Sequence, residues 1–325
     1  LYGEEIARTR ETKDRYFCND QSMKQIKLTN TNPERLDVAV SRDLELSRTK
    51  IQRAIKNEQI FVDDSKAIAH QLVSDKNKVF YDPKITEVVK KSKSKPAPLD
   101  IIYEDKNVIV INKPAGVIVH DTETNTEPTL VDALIKHEKK IAKVGDRAER
   151  AGLVHRLDKA ASGIMIIAKN QKAFEFLKDK FQSRTVEKHY TVLVQGHMPD
   201  AHGTIDFTIE RSKTTGRMAA KPTSQGGKPA ITHYDVVEKF PHHTLLDIKI
   251  ETGRTHQIRA HMFALEHPVV GDTLYRQKGV KPRDIGRIFL HARALTIELP
   301  NGETKTFEAP LPNELKQVLE EIPKL

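Results

Sequence analysis

The chain has 325 residues, 38% hydrophobic and 30% charged, enough for one large domain with a substantial core and a small one beside it. Its one cysteine, Cys18, excludes an internal disulfide and a thiolate-rich metal site, and no apolar run approaches the roughly 20 residues of a membrane span. The net charge of +9 points to a polyanionic partner, nucleic acid before anionic membrane, and the lone cysteine and the lack of an apolar leader fit the cytoplasm.

Residues 1–32 are polar and without periodicity, the first methionine is Met23, and this stretch is expected to be a poorly ordered tail. Residues 33–83 read as a small unit. Leu36, Ala39, Val40 and Leu44 recur at helical spacing, and Ser47 stands as the N-cap of a second helix with Ile51, Ala54 and Ile55 on its apolar face. Arg48, Lys50, Arg53 and Lys56 occupy much of the rest of that helix, either as a solvated face or as a surface for RNA phosphates. Ile60–Val62 and Val79–Tyr81 read as short strands. Residues 84–98, with Lys90, Lys91, Lys93, Lys95, Pro96 and Pro98, read as a basic linker.

Residues 99–325 form the large domain. Strands are predicted at Ile101–Tyr103, Val108–Ile111, Leu153–Val154, Ile164–Ala168, Tyr190–Val194, Tyr234–Val237, Thr244–Ile250 and Leu295–Leu299. Helices are predicted from Asn170, with Ala173, Phe174, Leu177 and Phe181 on one face, and over His256–Leu265, ending before Pro268. Strands and helices do not alternate strictly, so the fold class is α+β with a mixed, largely antiparallel sheet and flanking helices.

Three segments can carry chemistry. In Gly152–Gly163 an aspartate, Asp158, sits in a tight loop with His155, Arg156 and Lys159 nearby. Cations favour an ionised carboxylate, which can act as nucleophile or base, although a surface salt bridge fits the same residues. In Glu251–His261, Gly253 suggests a turn into a helix, Thr255 stands where a cap is expected, and Arg254 and Arg259 supply charge for phosphate or carboxylate. The plainer reading is a solvated basic helix start. In Lys188–Tyr190 the tyrosine can stack on a base or pass a proton, or simply fill a sheet.

Together the segments resemble the RluA-type RNA pseudouridine synthases. The pattern HRLDK-x-x-SG at 155–163, K-x-Y at 188–190 and ETGRTHQIR at 251–259 follows that family's motifs in order. NKPAG at 112–116, with Lys113, and HPVVGD-x-LY at 267–275 extend the match over about residues 99–310. The small unit resembles an S4 RNA-binding module, with Asn57-Glu58 and Asp75–Asn77 where that module usually has glycines at its turns. The resemblance implies the pseudouridine synthase fold and isomerisation of uridine in a structured RNA, ribosomal large-subunit RNA before transfer RNA, by a monomer without metal or cofactor.

It also implies roles. Asp158 is the nucleophile, Tyr190 stacks on the target base and helps remove the C5 proton, and Arg259 pairs with Asp158. Ile258 packs beside the base, and Arg156 fills the space left by the flipped nucleotide. His155, Lys113, Arg254, Thr255, His256 and Gln257 complete the expected RNA contacts. Two places depart from the family: Ala160-Ala161 stand where Asp-Thr is usual, and Asp121 follows His120 where proline is usual.

Three other readings compete. His256, His261 and His267 cluster in sequence, but two histidines five apart on a helix lie about 140° apart and do not converge on zinc as H-E-x-x-H does. A non-catalytic RNA-binding or ribosome-assembly factor is the main alternative. An RNA N-glycosidase would break the same bond but release uracil.

Overall fold

The computed structural model describes residues 23–63, 65–86, 95–121, 125–212, 214–277, 279 and 283–325. The chain divides into two compact units, residues 1–92 and 93–325.

In the first unit, β1 (Lys24–Ile26), β6 (Val79–Tyr81), β3 (Ile60–Val62) and β4 (Ser65–Lys66) form an antiparallel sheet in that order. β2 (Glu34–Arg35) pairs with β5 (Leu72–Val73). Two helices pack here, α1 (Leu36–Asp43) and α2 (Arg48–Lys56). α2 starts where the Ser47 hydroxyl accepts the Lys50 amide at 3.2 Å, and it buries Ile51, Ala54 and Ile55 beside Leu36, Ala39 and Val40 of α1.

Two expected boundaries are corrected. The polar tail does not extend to residue 32, because Ile26 and Leu28 are buried and β1 is a sheet strand. The unit also runs past residue 83, since Ile85 is buried in the same cluster. Residues 1–22 of the tail and 87–94 of the linker lie outside the described residues.

The second unit is built on a ten-stranded sheet. Its strands are β7 (Ile101–Glu104), β8 (Val108–Lys113), β9 (Ser162–Ala168), β10 (Glu187–Gln195), β11 (His202–Arg211), β12 (Met218–Lys221), β13 (Lys228–Phe240), β14 (His243–Ile250), β15 (Leu290–Glu298) and β16 (Thr304–Glu308). The order is β12-β11-β13-β14-β10-β15-β9-β8-β7, with β16 on β15. Every pairing is antiparallel except β15 with β9. Helices α3 (Leu130–His137), α4 (Gln171–Gln182), α5 (Gln257–Ala264) and α6 (Asn313–Glu321) flank it.

The middle of this sheet is covered on both faces. β8 sends Ile109 and Ile111 into one apolar cluster and Val108 and Val110 into another, and all seven residues of β9 are buried. α4 closes the second cluster with Ala173, Phe174 and Leu177, after Asn170 caps it by accepting the Ala173 amide at 2.9 Å. Tyr190, Val192 and Val194 of β10 face the first cluster.

The predicted strand at Leu153–Val154 is only a single bridge, Leu153 to Ile167, because the chain turns away at once into the Asp158 loop. Strands β11, β12 and β16 and helices α3 and α6 were not predicted. β11 and β16 bury few residues among exposed polar ones, which leaves no strong alternation to read. Among the described residues no helix is long and apolar enough to cross a membrane.

Candidate active site

The loop that carries Asp158 is pinned along its length. At its start, His155 Nε2 accepts the Ile166 amide of β9 at 3.0 Å. At its centre the Ala161 amide donates to the Asp158 carbonyl at 3.1 Å, and the Gly116 amide donates to the Lys159 carbonyl at 2.7 Å. At its end the Ser162 hydroxyl accepts from Arg287 Nη2 at 2.6 Å and lies 2.9 Å from His291 Nδ1. Gly163 then enters β9 with φ +117°, where a Cβ would meet the backbone of Ala292. The parallel pairing of β9 and β15 therefore needs glycine there.

Arg259, in the first turn of α5, meets this loop. Its Nη1 donates to Asp158 Oδ2 at 3.0 Å. Its Nε and Nη2 donate to the two carboxylate oxygens of Asp272 at 2.6 and 3.0 Å, a forked pair. The guanidinium also lies 5.0 Å from the centre of the Tyr275 ring. Burial opposes the Arg259 charge, but Asp272 and Asp158 outweigh it and raise its pKa, so the side chain stays cationic. Asp272 is itself buried, and its Oδ1 accepts the amides of Leu274 and Tyr275, both at 2.9 Å.

Asp158, Tyr190, Ile258 and Arg259 line one cavity of about 810 Å³, with Arg156 and Arg254 also lining it. That volume falls within the roughly 300–1,000 Å³ usual for a small-ligand site. Burial first, and then the Asp158 charge, push the Tyr190 phenol well above its ordinary range, so it is neutral. The site thus offers a carboxylate held by one arginine, a neutral phenol and an aliphatic wall.

Comparison with known proteins agrees with this geometry. The family model for RNA pseudouridylate synthase matches residues 107–264. The uncharacterized RNA pseudouridine synthase YlyB of Bacillus subtilis is 36% identical over 296 residues, 90% of this chain and 95% of that one. The ribosomal large subunit pseudouridine synthase D of Nitrosomonas europaea is 37% identical, over 90% of this chain and 85% of that one. The chain belongs to the RNA pseudouridine synthase family. Among solved structures, human RNA pseudouridylate synthase domain containing 4 is similar at 27% identity and a TM-score of 0.54, over 69% of this chain and 94% of that one.

For this pseudouridine synthase the structure redistributes several expected RNA contacts. Lys113 is fully buried and donates to the carbonyls of Pro114, Val117 and Lys159 at 2.8, 3.1 and 3.4 Å. It is a strut beneath the Asp158 loop, closed off from an RNA contact, and burial with help from Arg287 lowers its pKa to about 7 against the pull of Asp158. His155 is likewise structural: it stacks on Phe181 at 4.6 Å, and burial, then Lys188, lower its pKa to about 3. Gln257 is buried and organises the turn, with Oε1 accepting from Thr252 and the Arg254 amide and Nε2 donating to Ile231 and Thr232.

Thr255 does not cap α5. The N-cap is His256, in the left-handed region at φ +55°, and it gives no side-chain cap. His256 Nδ1 lies 3.1 Å from the Tyr275 hydroxyl, and burial lowers its pKa while Asp158 opposes the shift. Thr255, His256, Arg254 and Arg156 line the cavity, and so do His155 and Gln257. The histidines of the zinc reading stay apart: His267 meets the Gln195 carbonyl and His261 packs edge-on against Phe207. Among the described residues no group of three acidic, histidine or cysteine side chains is placed to hold a metal.

The family's usual Asp-Thr is replaced without opening the loop, since Ala161 is buried and its amide still closes the turn. Asp272 and Tyr275 were missed as site residues, although the motif that contains them was visible. The signal was the spacing of a lone aspartate 13 residues after Arg259, just beyond the end of the helix.

Asp272→Asn keeps the shape but leaves the Arg259 charge half-paired. Unfolding in urea at pH 7 should show a loss of about 3 kcal/mol. Single-turnover conversion should slow with RNA affinity little changed, and an unaltered rate would remove Asp272 from the positioning of Arg259.

Buried His261 and half-buried His155 make a second expectation. Burial lowers His261 to about 4 and His155 to about 3, whereas an unfolded histidine titrates near about 6.5. The unfolded chain thus binds more protons below about pH 6.5, and stability falls as pH drops toward 4, by up to about 1.4 kcal/mol per pH unit per histidine. His261→Phe should flatten the decline of Tm over that window, and parallel curves for the two proteins would refute it.

Proposed function

We propose that this synthase isomerises uridine to pseudouridine in large-subunit ribosomal RNA, with Asp158 as nucleophile and no metal or cofactor. The observation that carries the reading is the Asp158–Arg259 pair at 3.0 Å beside Tyr190 and Ile258 in one cavity. The choice of RNA rests on relatives: the proteins of Nitrosomonas europaea and Escherichia coli that match at 35–37% identity are named ribosomal large subunit pseudouridine synthase D. Transfer RNA is the alternative substrate.

A stacked uridine cannot reach a carboxylate at the bottom of a cavity, so the nucleotide flips out. Asp158 attacks the uridine, and the bond between N1 and the ribose C1′ breaks. The base turns between Tyr190 and Ile258, C5 bonds to C1′, and the bond to the Asp158 carboxylate breaks, which restores the free carboxylate. The C5 proton leaves and N1 gains one, so nothing is added or lost and no redox partner is needed. Arg259 keeps the carboxylate aimed throughout. Tyr190 stacks on the base and acts on the C5 proton as a neutral phenol, not as a phenolate, because burial raises its pKa. Arg156 enters the space that the nucleotide vacates.

The first unit serves as an S4-like RNA-binding module, supported by its two short helices, its small sheet and the basic face of α2. Arg48 of that face pairs with buried Asp37 at 3.0 Å, which also accepts from Arg35 and Gln52. Burial opposes the Asp37 charge, and these three donors together hold its pKa far below the carboxylate range. Arg48 is therefore partly committed inside the unit, and Lys50, Arg53 and Lys56 carry the contact. The protein works as a cytoplasmic monomer.

Asp158→Asn should abolish pseudouridine formation on ribosomal transcripts, read by carbodiimide labelling and primer extension, while RNA affinity holds within about threefold. Normal turnover would exclude Asp158 as nucleophile. If Asp158→Asn restored the phenotype of a deletion strain, the assembly-factor reading would replace catalysis. Lys50→Gln with Lys56→Gln should weaken RNA binding and reduce its salt slope by up to about 0.7–0.9 per lost phosphate contact. Unchanged affinity would remove α2 from the interface.

A further inference from the structure

Three arginines of the second unit stand together and, among the described residues, form no ion pair. Arg147, Arg150 and Arg156 all line the active-site cavity. Of the neighbouring acids, Asp146 pairs with Lys178 at 2.6 Å, and Glu149 is near enough to favour the Arg150 charge but forms no ion pair with it. Arg150 is half-buried, and its Nε is a buried donor with no hydrogen-bond partner. Burial, then Arg156 and Arg147, lower its pKa.

The position of Arg150 is built, not incidental. Its amide donates to the Arg147 carbonyl at 3.0 Å, and its own carbonyl accepts the Leu153 amide at 3.0 Å. Two residues on, Gly152 has φ +72°, and a Cβ there would lie 2.7 Å from the Ala168 carbonyl. The Gly152 amide donates to the Val144 carbonyl, and its carbonyl accepts the Ala168 amide, both at 2.9 Å. The turn before the catalytic loop is thus fastened to the end of β9, and Arg150 is fastened with it. A rigidly placed, partly desolvated cation beside two others is unfavourable in the free protein. Leaving a buried donor unpaired adds to that cost. An anion seated against Arg150 and Arg147 would remove both penalties.

We propose that Arg150 and Arg147 form a phosphate subsite, with Arg150 as its anchor, that grips a backbone phosphodiester of the RNA beside the flipped uridine, while Arg156 next to them is left to the space the nucleotide vacates. This deepens the synthase reading and rests on it. The arginines differ in setting: Arg156 is carried on the catalytic loop itself, whereas Arg147 and Arg150 belong to the preceding turn. The grip therefore fixes the RNA backbone against a part of the protein that does not take part in the chemistry, and so sets the register of the nucleotide presented to Asp158. Phosphate contacts of this kind position a substrate without reading its bases.

The test uses the full-length protein and a ribosomal transcript that it modifies, with affinity measured over a series of salt concentrations. Arg150→Gln should weaken binding about tenfold at moderate salt and reduce the slope of log affinity against log salt by about 0.7–0.9, the value of one phosphate contact. Arg150→Lys should keep the slope, and Arg147→Gln, at an exposed position, should lose slope in the same direction even if Arg150→Gln folds poorly. Lys316→Gln, a surface change outside the cavity, is the control for net charge.

An unchanged slope in both Arg150→Gln and Arg147→Gln overturns the subsite, and so does an equal loss in Lys316→Gln. Inorganic phosphate is the other source of the same chemistry. If millimolar phosphate raised the Tm of the wild type but not of Arg150→Gln, with the RNA slope unmoved, the site would belong to a free anion and the proposal would fall. Failure of the wild type itself to bind RNA or to form pseudouridine would overturn the synthase reading instead, which keeps the two failures distinct.

Discussion

A single buried cation organises the site. Arg259 is shared between Asp158 and Asp272, with the Tyr275 ring against its guanidinium. Its fork is wholly taken by Asp272, which leaves one nitrogen, Nη1, for Asp158. Burying a guanidinium is costly unless every donor is engaged and the charge is matched. Three distant stretches must therefore converge: the loop before β9, the first turn of α5, and the turn that follows that helix. Each is fastened separately to the sheet, so the carboxylate is held before any substrate arrives. In the role proposed for Asp158, preorganisation of this kind spares the reaction the entropy of aiming the carboxylate.

The supports beneath the loop are also charged and also buried. Lys113 holds carbonyls on the loop's lower side, and Arg287 holds Ser162 at its far end while reaching Glu314 of α6 at 2.8 Å. A loop has backbone groups that no ladder satisfies, and burying it requires partners for them. Lysine and arginine reach further than neutral donors and so meet carbonyls and hydroxyls that a shorter side chain would miss. The same side chains thus satisfy the backbone of the loop that carries Asp158. A surface lysine in the opening motif would have suited an RNA contact, but this one is needed inside.

What could be read from the sequence follows from this division. Asp158, Tyr190, Arg259 and Ile258 were legible because they sit in dense local motifs, and the helices after Ser47 and Asn170 because caps and apolar spacing agree. Lys113, His155 and Gln257, expected on the RNA, are each engaged with backbone groups of the protein. A polar side chain next to a catalytic motif looks available to substrate, and only the tertiary structure shows that backbone groups have taken it. Asp272 was hidden by distance: its partner lies on a helix that ends before it, and nothing local says that the chain folds back. The tail boundary failed because Ile26 and Leu28 are too few to make a pattern, yet two aliphatics suffice to tie a three-residue strand to a small core.

Charge in the second unit is sorted by depth and by pairing. Asp158 and Arg259 on the cavity wall and Asp272 behind them carry a single net negative charge between them, the charge that the proposed nucleophile requires. Around it Arg147, Arg150 and Arg156 remain unpaired. A pairing of these arginines with nearby acids would have stabilised the free protein but left nothing for an anionic polymer. Leaving them out of ion pairs sacrifices some stability of the empty site in favour of binding an anionic polymer, as the proposed subsite requires. The interior pairing aims one charge, and the unpaired rim decides what can be brought to it.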